Sequence, residues 1–140
     1  MSLVPVRLYL AGPMTSRQHF NFPWFDVARD DLRHRGYEVA CPAEMDRQEG
    51  FDPVAANYDG TENLAELGFD MRSAFARDLE TICHWADGIA VLHYWTTSKG
   101  ARAEVSVAKV IGIPVRPVDE WLASMSYRID DVDEYLRCEQ

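Results

Sequence analysis

The sequence has few basic residues, few cysteines and no long hydrophobic run. Its 14 Lys and Arg stand against 23 Asp and Glu in 140 residues, which gives a formal net charge of −9. Because nucleic acids and anionic membranes are bound mainly through basic patches, we expect neither a nucleic-acid polymer nor a membrane as a partner. No apolar stretch reaches the roughly 20 residues of a membrane span, and the N-terminus lacks the pattern of a secretory signal.

The three cysteines, Cys41, Cys83 and Cys138, are odd in number and widely spaced. They lack the C-x-x-C pairs of zinc and redox sites, so the pattern predicts no metal and indicates reduced thiols in a cytoplasmic protein. The sequence also lacks a G-x-G-x-x-G motif after its first apolar run, where Ala11-Gly12-Pro13 stands instead. A dinucleotide-dependent oxidoreductase is therefore disfavoured.

Short apolar runs alternate with amphipathic stretches, and this alternation predicts an α/β fold. We expect a single domain over 1–140, a three-layer sandwich whose parallel sheet of four to five strands has helices on both faces, flavodoxin- or Rossmann-like. Strands are predicted at 6–11, 37–41, 89–93 and 113–118. Helices are predicted between Asn21 and Gly36, from Asp70 to about Ala86, from Gly100 to Val110, and over a C-terminal tail, 119–140.

Residues 43–69 interrupt this pattern, with three glycines, one proline, many acids and little periodicity. A connection of this length inside a small domain is usually functional or mobile. The segment is therefore predicted to be an active-site loop or lid. In a parallel sheet the site is expected beyond the carboxyl ends of the strands.

Two acidic residues fall beside the buried stripes of predicted helices. Glu104 lies in the first turn of its helix, and Asp78 edges the stripe of the preceding helix. A carboxylate in such a position must find a partner or shift its pKa upward. The alternatives are an ordinary first-turn glutamate and a rim aspartate paired with Arg72 or Arg77. Two carboxylates at one site suggest glycosidic-bond chemistry, in which one attacks the anomeric carbon and the other protonates the leaving group.

Three motifs resemble the nucleoside 2-deoxyribosyltransferase superfamily, especially its small phage and bacterial branch of unassigned function. They span residues 6–118, most of the chain. The motifs are Tyr9-Leu10-Ala11-Gly12-Pro13-Met14, the stretch from Arg77-Asp78-Leu79 to Leu92, and Ser98-x-Gly100-x-x-x-Glu104 followed by Ala108 and Gly112-Ile113-Pro114-Val115.

The resemblance implies a retaining displacement at C1′ of a nucleoside or its 5′-monophosphate, without a metal or organic cofactor. Glu104 would form a glycosyl-enzyme, Asp78 would protonate the departing base, and Tyr9 would position Glu104. The sugar would then pass to another base, or to water in a 5′-monophosphate N-glycoside hydrolase. A homodimer or higher homo-oligomer is also implied. A non-catalytic nucleotide-binding or sensor module on the same fold is the alternative from another class.

The remaining substrate-binding candidates surround these catalytic residues. Gly12 would let backbone approach the sugar, and Ser98 falls where the monophosphate-hydrolysing branch places a phosphate-binding serine. The turn after the first strand carries one arginine. Aromatic rings are candidates to contact a nucleobase, with core packing as the alternative. The full set of predicted substrate-binding residues is Gly12, Pro13, Met14, Arg17, Phe22, Trp95, Ser98 and Gly100.

Overall fold

The computed structural model describes residues 2–130, which form a four-stranded parallel sheet between two layers of helices. The strands are β1 (Ser2–Pro5), β2 (Arg7–Ala11), β3 (Glu38–Ala40), β4 (Gly88–Val91), β5 (Val115–Pro117) and β6 (Tyr127–Asp130). The helices are α1 (Phe22–Arg35), α2 (Pro42–Gln48), α3 (Met71–His84), α4 (Lys99–Ile111) and α5 (Val118–Leu122). The predicted α/β class with a parallel sheet is confirmed.

Side chains that alternate along β2 divide the core into two halves. Leu8 and Leu10 face the layer of α1 and α5, where they pack in one cluster with residues such as Phe25 and Trp121. Tyr9 and Ala11 face the layer of α3 and α4, in a second cluster. This period-two alternation in a strand buried on both faces is what a doubly covered sheet requires. It also directs the phenol of Tyr9 toward α4.

The sheet has the order β3-β2-β4-β5, and every neighbouring pair in it is parallel. The chain passes from β2 to β3 on one side of the sheet and then returns to β4 on the other side of β2. This reversal opens a crevice beyond the carboxyl ends of β2 and β4, the place where ligands bind in open α/β sheets.

The helix ends follow the predicted signals. Asp70 caps α3 by accepting a hydrogen bond from the Ser73 amide at 3.0 Å. Gly36 and Gly112 follow the ends of α1 and α4 in the left-handed conformation, with φ of 116° and 80°. Left-handed glycine at this position satisfies the last helical carbonyls without a Cβ clash.

Two predicted segments differ in the structure. The expected loop 43–69 begins with α2, because Pro42 fits the first turn of a helix, and only the remainder lacks regular structure. We call residues 49–70 the covering segment. A helical tail was expected over 119–140; its described part, residues 119–130, is helical only in α5, and β6 then pairs antiparallel with β1. The rest of that predicted tail, including Cys138, lies outside the described residues.

Among residues 2–130, no helix is both long enough and apolar enough to cross a membrane. Cys41 is buried and Cys83 is exposed, and both are free thiols. Burial raises the pKa of the Cys41 thiol to about 11, so this cysteine is an unreactive part of the core.

Candidate active site

A cavity of about 640 Å³ opens at the carboxyl ends of β2 and β4. This volume is typical of small-molecule sites. Its lining includes a group of ionisable side chains, here called the polar end, and a group of apolar side chains, here called the apolar wall. The polar end holds Tyr9, Asp46, Asp78 and Glu104, and the apolar wall holds Phe20, Phe25, Phe51, Leu64, Phe69, Met71 and Phe75.

Glu104 and Tyr9 form the floor of the cavity. Glu104 belongs to the buried stripe of α4, with 6% of its surface exposed. The Tyr9 hydroxyl donates a short hydrogen bond to Glu104 Oε2. Because Tyr9 is fixed in the centre of the sheet, this bond fixes one carboxylate oxygen of Glu104 and leaves Oε1 as the oxygen available to a ligand.

Asp78 reaches the same floor from α3. It lies on the buried stripe of that helix with Ala74 and Ile82, one helical turn to either side. Arg77 donates to Asp78 Oδ1 from Nε at 3.0 Å and from Nη2 at 2.8 Å. From the sequence, Asp78 was either a carboxylate of the site or a rim aspartate paired with an arginine. In the structure it lines the cavity and is also paired with Arg77.

Arg77 also binds a third carboxylate of the cavity, that of Asp46. Its Nη2 donates to Asp46 Oδ1 at 2.8 Å, and its Nη1 lies 3.2 Å from Glu49 Oε2 at an angle that makes no hydrogen bond. Burial lowers the pKa of Arg77, but the bond to Asp46 and the charge of Asp78 outweigh it and raise the pKa overall. The guanidinium therefore stays charged and bridges α2 to α3.

Burial raises the pKa of all three cavity carboxyls. The pKa of Glu104 rises to about 8, although the Tyr9 hydrogen bond opposes the shift, and that of Asp46 rises to about 6 despite Arg77. The pKa of Asp78 is raised in the same way, with Arg77 again opposing. Burial and the charges of Glu104 and Asp78 raise the pKa of Tyr9, which therefore stays protonated and acts as a donor.

One guanidinium cannot balance three buried carboxylates, so the cluster retains a proton near neutral pH. A carboxyl pair that shares one proton can supply a general acid and a nucleophile at the same time. Within residues 2–130, no group of three or more His, Cys, Asp or Glu side chains is arranged to hold a metal ion.

A left-handed turn places an aromatic ring in the apolar wall. His19, Phe20 and Asn21 have φ of 53°, 52° and 64°, and the Asn21 side-chain amide donates to the Pro13 carbonyl at 2.8 Å. Consecutive non-glycine residues in this region store backbone strain, which proteins tolerate chiefly at functional positions. The turn packs Phe20 edge-to-face on Phe51, with ring centroids 5.5 Å apart.

The covering segment closes over the loop that follows β2. The Ser16 amide donates to the Gly60 carbonyl at 2.9 Å, and the His19 amide donates to the Tyr58 carbonyl at 2.9 Å. Gly60 has a φ of +97°, and a Cβ there would lie 2.0 Å from the Arg17 carbonyl oxygen. Only glycine allows this close approach, so the covering segment packs closely on the loop that follows β2.

A family model described as a domain of unknown function (DUF4406) matches residues 6–116. The chain belongs to the DUF4406 family. No curated protein and no solved structure matches it. The matched region runs from the start of β2 into β5, so the family's domain contains every carboxyl of the cavity described above.

In this DUF4406 domain, most of the predicted substrate-binding residues line the cavity. Gly12, Pro13, Met14, Arg17, Ser98 and Gly100 all do so. Ser98 caps α4 by accepting a hydrogen bond from the Ala101 amide at 3.1 Å. Arg17 donates to Thr97 Oγ1 at 3.3 Å at the cavity mouth. Gly12 has a packing role as well, because a Cβ there would lie 2.8 Å from Leu92.

Two of the predicted substrate-binding residues of the DUF4406 domain, Phe22 and Trp95, do not line the cavity. Phe22 is fully buried in the core, where it packs against Phe51 with centroids 5.9 Å apart, and does not line the cavity. The left-handed turn brings Phe20 into the wall instead. Trp95, in the short 3-10 helix at Trp95–Thr97, lines a separate groove beside α1 and α5 and packs against the cluster that contains Tyr9.

The sequence prediction missed Asp46 and the aromatic rings of the covering segment. Asp46 lies in α2, inside a stretch predicted to be a loop, and its 3% exposure follows from the packing of α2 beside Arg77. Phe51 and Phe69 pack together with centroids 4.8 Å apart in a segment without periodicity. The available signal was that these apolar rings occur in an otherwise acidic stretch.

Proposed function

We propose that this protein cleaves the N-glycosidic bond of a nucleoside or nucleoside 5′-monophosphate by retaining displacement and transfers the sugar to another base. The observation that carries the proposal is the pair of buried carboxyls from α3 and α4 that line one cavity, one of which, Glu104, accepts a hydrogen bond from the Tyr9 hydroxyl. The apolar wall of phenylalanines offers a surface for a nucleobase. The resemblance of the three sequence motifs to nucleoside 2-deoxyribosyltransferases supports the same reaction.

In the first half-reaction, Glu104 Oε1 attacks C1′ as the bond from C1′ to the base nitrogen breaks. The electron pair of that bond goes to the base, and Asp78 donates a proton to the base as it leaves. In the second half-reaction, an acceptor base attacks C1′, Glu104 departs as a carboxylate, and Asp78 takes back a proton from the acceptor. Two displacements at one carbon retain its configuration.

The division of roles follows from the contacts of each carboxyl. Tyr9 donates to Glu104 Oε2, and this bond stabilises the ionised form that a nucleophile requires. Both Arg77 contacts fall on Asp78 Oδ1, which leaves Oδ2 to carry the transferable proton. Positive charge that develops at C1′ in the transition state favours negative charge on Glu104 and therefore the shared proton on Asp78.

The test is base release from deoxynucleosides and their 5′-monophosphates, with and without a free acceptor base. Transfer requires the acceptor, whereas release without it identifies a hydrolase. We expect Glu104→Gln to lower turnover by several powers of ten, as for removal of a covalent nucleophile. Glu80→Gln is the matched control, because Glu80 is an exposed carboxylate of α3 and should leave turnover unchanged.

A nucleoside with a 2-fluoro sugar should trap the intermediate as a covalent adduct on Glu104, identified by peptide mass spectrometry. An adduct on another residue would overturn the assignment. Binding of nucleosides without base release under any condition would instead identify a non-catalytic nucleotide-binding module.

A further inference from the structure

Asp46 is a buried carboxylate of the cavity that the proposed reaction does not use. It is 97% buried, and Arg77 Nη2 contacts its Oδ1 at 2.8 Å. Within the described part of the chain, no donor contacts its other oxygen, Oδ2. Because Asp46 lines the cavity, that oxygen is left for a donor carried by the ligand.

Arg77 fixes Asp46 next to the proposed general acid. The same nitrogen, Nη2, donates to Asp46 Oδ1 and to Asp78 Oδ1, each at 2.8 Å. The two carboxylate oxygens therefore lie less than twice that distance apart. Because both residues line the cavity, their Oδ2 atoms are left for a planar ligand, which can contact both carboxyl groups through neighbouring atoms.

The atoms adjacent to a protonated base nitrogen differ in a defined way among the nucleobases. On the edge that contains N7, adenine carries an amino donor and hypoxanthine a carbonyl acceptor. Beside N3, cytosine carries an amino donor and uracil a carbonyl acceptor, and uracil N3 itself already carries a hydrogen. A carboxylate pairs with an amino group and repels a carbonyl oxygen.

We propose that Asp46 selects nucleobases that carry an exocyclic amino group beside the nitrogen protonated by Asp78, as in adenine and cytosine, over their oxo counterparts. This inference rests on the proposed function for the identity of the ligand. Arg77 supports it by holding the Asp46 side chain in place. Burial raises the pKa of Asp46 only to about 6, so the carboxylate is mostly ionised at neutral pH and accepts hydrogen bonds.

The experiment compares two substrate pairs, deoxycytidine with deoxyuridine and deoxyadenosine with deoxyinosine. The members of each pair differ in the exocyclic group and in the hydrogen on the ring nitrogen next to it. Because uracil N3 already carries a hydrogen, the purine pair, which offers the same N7 to Asp78 in both members, is the one that isolates the contact with Asp46. Both pairs are tested as nucleosides and as 5′-monophosphates. For the wild-type protein we expect kcat/KM for the amino member to exceed that for the oxo member by about 10- to 100-fold. Equilibrium binding should show a preference in the same direction, because the contact already exists in the bound ground state.

Asp46→Asn replaces the acceptor by a group that presents either an oxygen or an N–H. In this variant we expect kcat/KM for the amino member to lie within a few-fold of kcat/KM for the oxo member in both pairs. Glu49→Gln is the matched control: it removes another carboxylate beside Arg77, but Glu49 is exposed and outside the cavity lining. It should keep the wild-type preference. Circular dichroism and a melting curve confirm that each variant is folded.

Equal wild-type values within both pairs would overturn the inference, and so would an unchanged preference in a folded Asp46→Asn protein. If no base is released from any substrate, the reaction proposed above fails, but the binding measurements still decide the role of Asp46. An amino preference in binding that Asp46→Asn abolishes supports the inference, and its absence refutes it.

Discussion

The buried carboxyl of Glu104 should make the protein less stable as the pH rises, and Glu104→Gln should remove that dependence. The folded protein holds Glu104 with a pKa of about 8, against an ordinary value of 4.5. Between these two values the folded state binds more protons than the unfolded state. The free energy of unfolding therefore decreases with rising pH in this window. Glutamine has the same shape but does not ionise.

The magnitude follows from the size of the pKa difference. Each pKa unit corresponds to about 1.4 kcal/mol, so ionisation of Glu104 should cost the wild-type protein about 4 kcal/mol of stability between about pH 5 and about pH 8.5. The other cavity carboxyls share the same proton, which makes this figure an upper value. Relative to wild type, Glu104→Gln should thus gain stability toward alkaline pH and gain little at acidic pH.

Urea denaturation at the two pH values measures this effect directly. The control is Glu80→Gln, which removes one exposed negative charge from α3 and should change stability equally at both pH values. The reasoning would be refuted if the free energy of unfolding differed between wild type and Glu104→Gln by the same amount at both pH values. A variant that loses stability relative to wild type as the pH rises would refute it as well.

Two further predictions concern the contacts around the cavity. Tyr9→Phe removes a hydrogen bond to a charged group worth about 1.5–3 kcal/mol, so a carbon-13 NMR titration should find the pKa of Glu104 about one to two units higher. The control is Tyr37→Phe, because the Tyr37 hydroxyl donates to the Trp121 carbonyl and not to Glu104; this variant should leave the pKa of Glu104 unchanged. Gly60→Ala places a Cβ against the Arg17 carbonyl, and we expect faster amide hydrogen exchange in the covering segment. Exchange at the wild-type rate would contradict the close approach.

The periodic parts of the chain were predictable because their signals are local. Asp70 begins α3 through a hydrogen bond, and Gly36 ends α1 through its backbone angles. Both effects involve residues only a few positions apart, so the local sequence is enough to predict these helix ends. The buried positions of Asp78 and Glu104 were also visible, since a 3.6-residue repeat places them beside apolar stripes.

The errors fall where a long-range contact decides the outcome. Residues 119–130, part of the tail expected to be helical, include β6, which forms because β1 offers a partner more than a hundred residues away. Phe20 and Phe22 differ by only two positions, and the left-handed turn decides which ring enters the cavity. Backbone strain of that kind is set by surrounding packing rather than by the residues themselves.

The sequence by itself determined the α/β class, the start of α3, the C-terminal ends of α1 and α4, and the buried positions of Asp78 and Glu104, because each depends on periodicity or capping over short distances. Only the tertiary structure decided that Tyr9 bonds Glu104, that Arg77 bridges Asp46 and Asp78, and that the covering segment completes the cavity. These contacts join residues that are mostly far apart in the sequence. Their strength depends on burial, which arises only when the layers pack together.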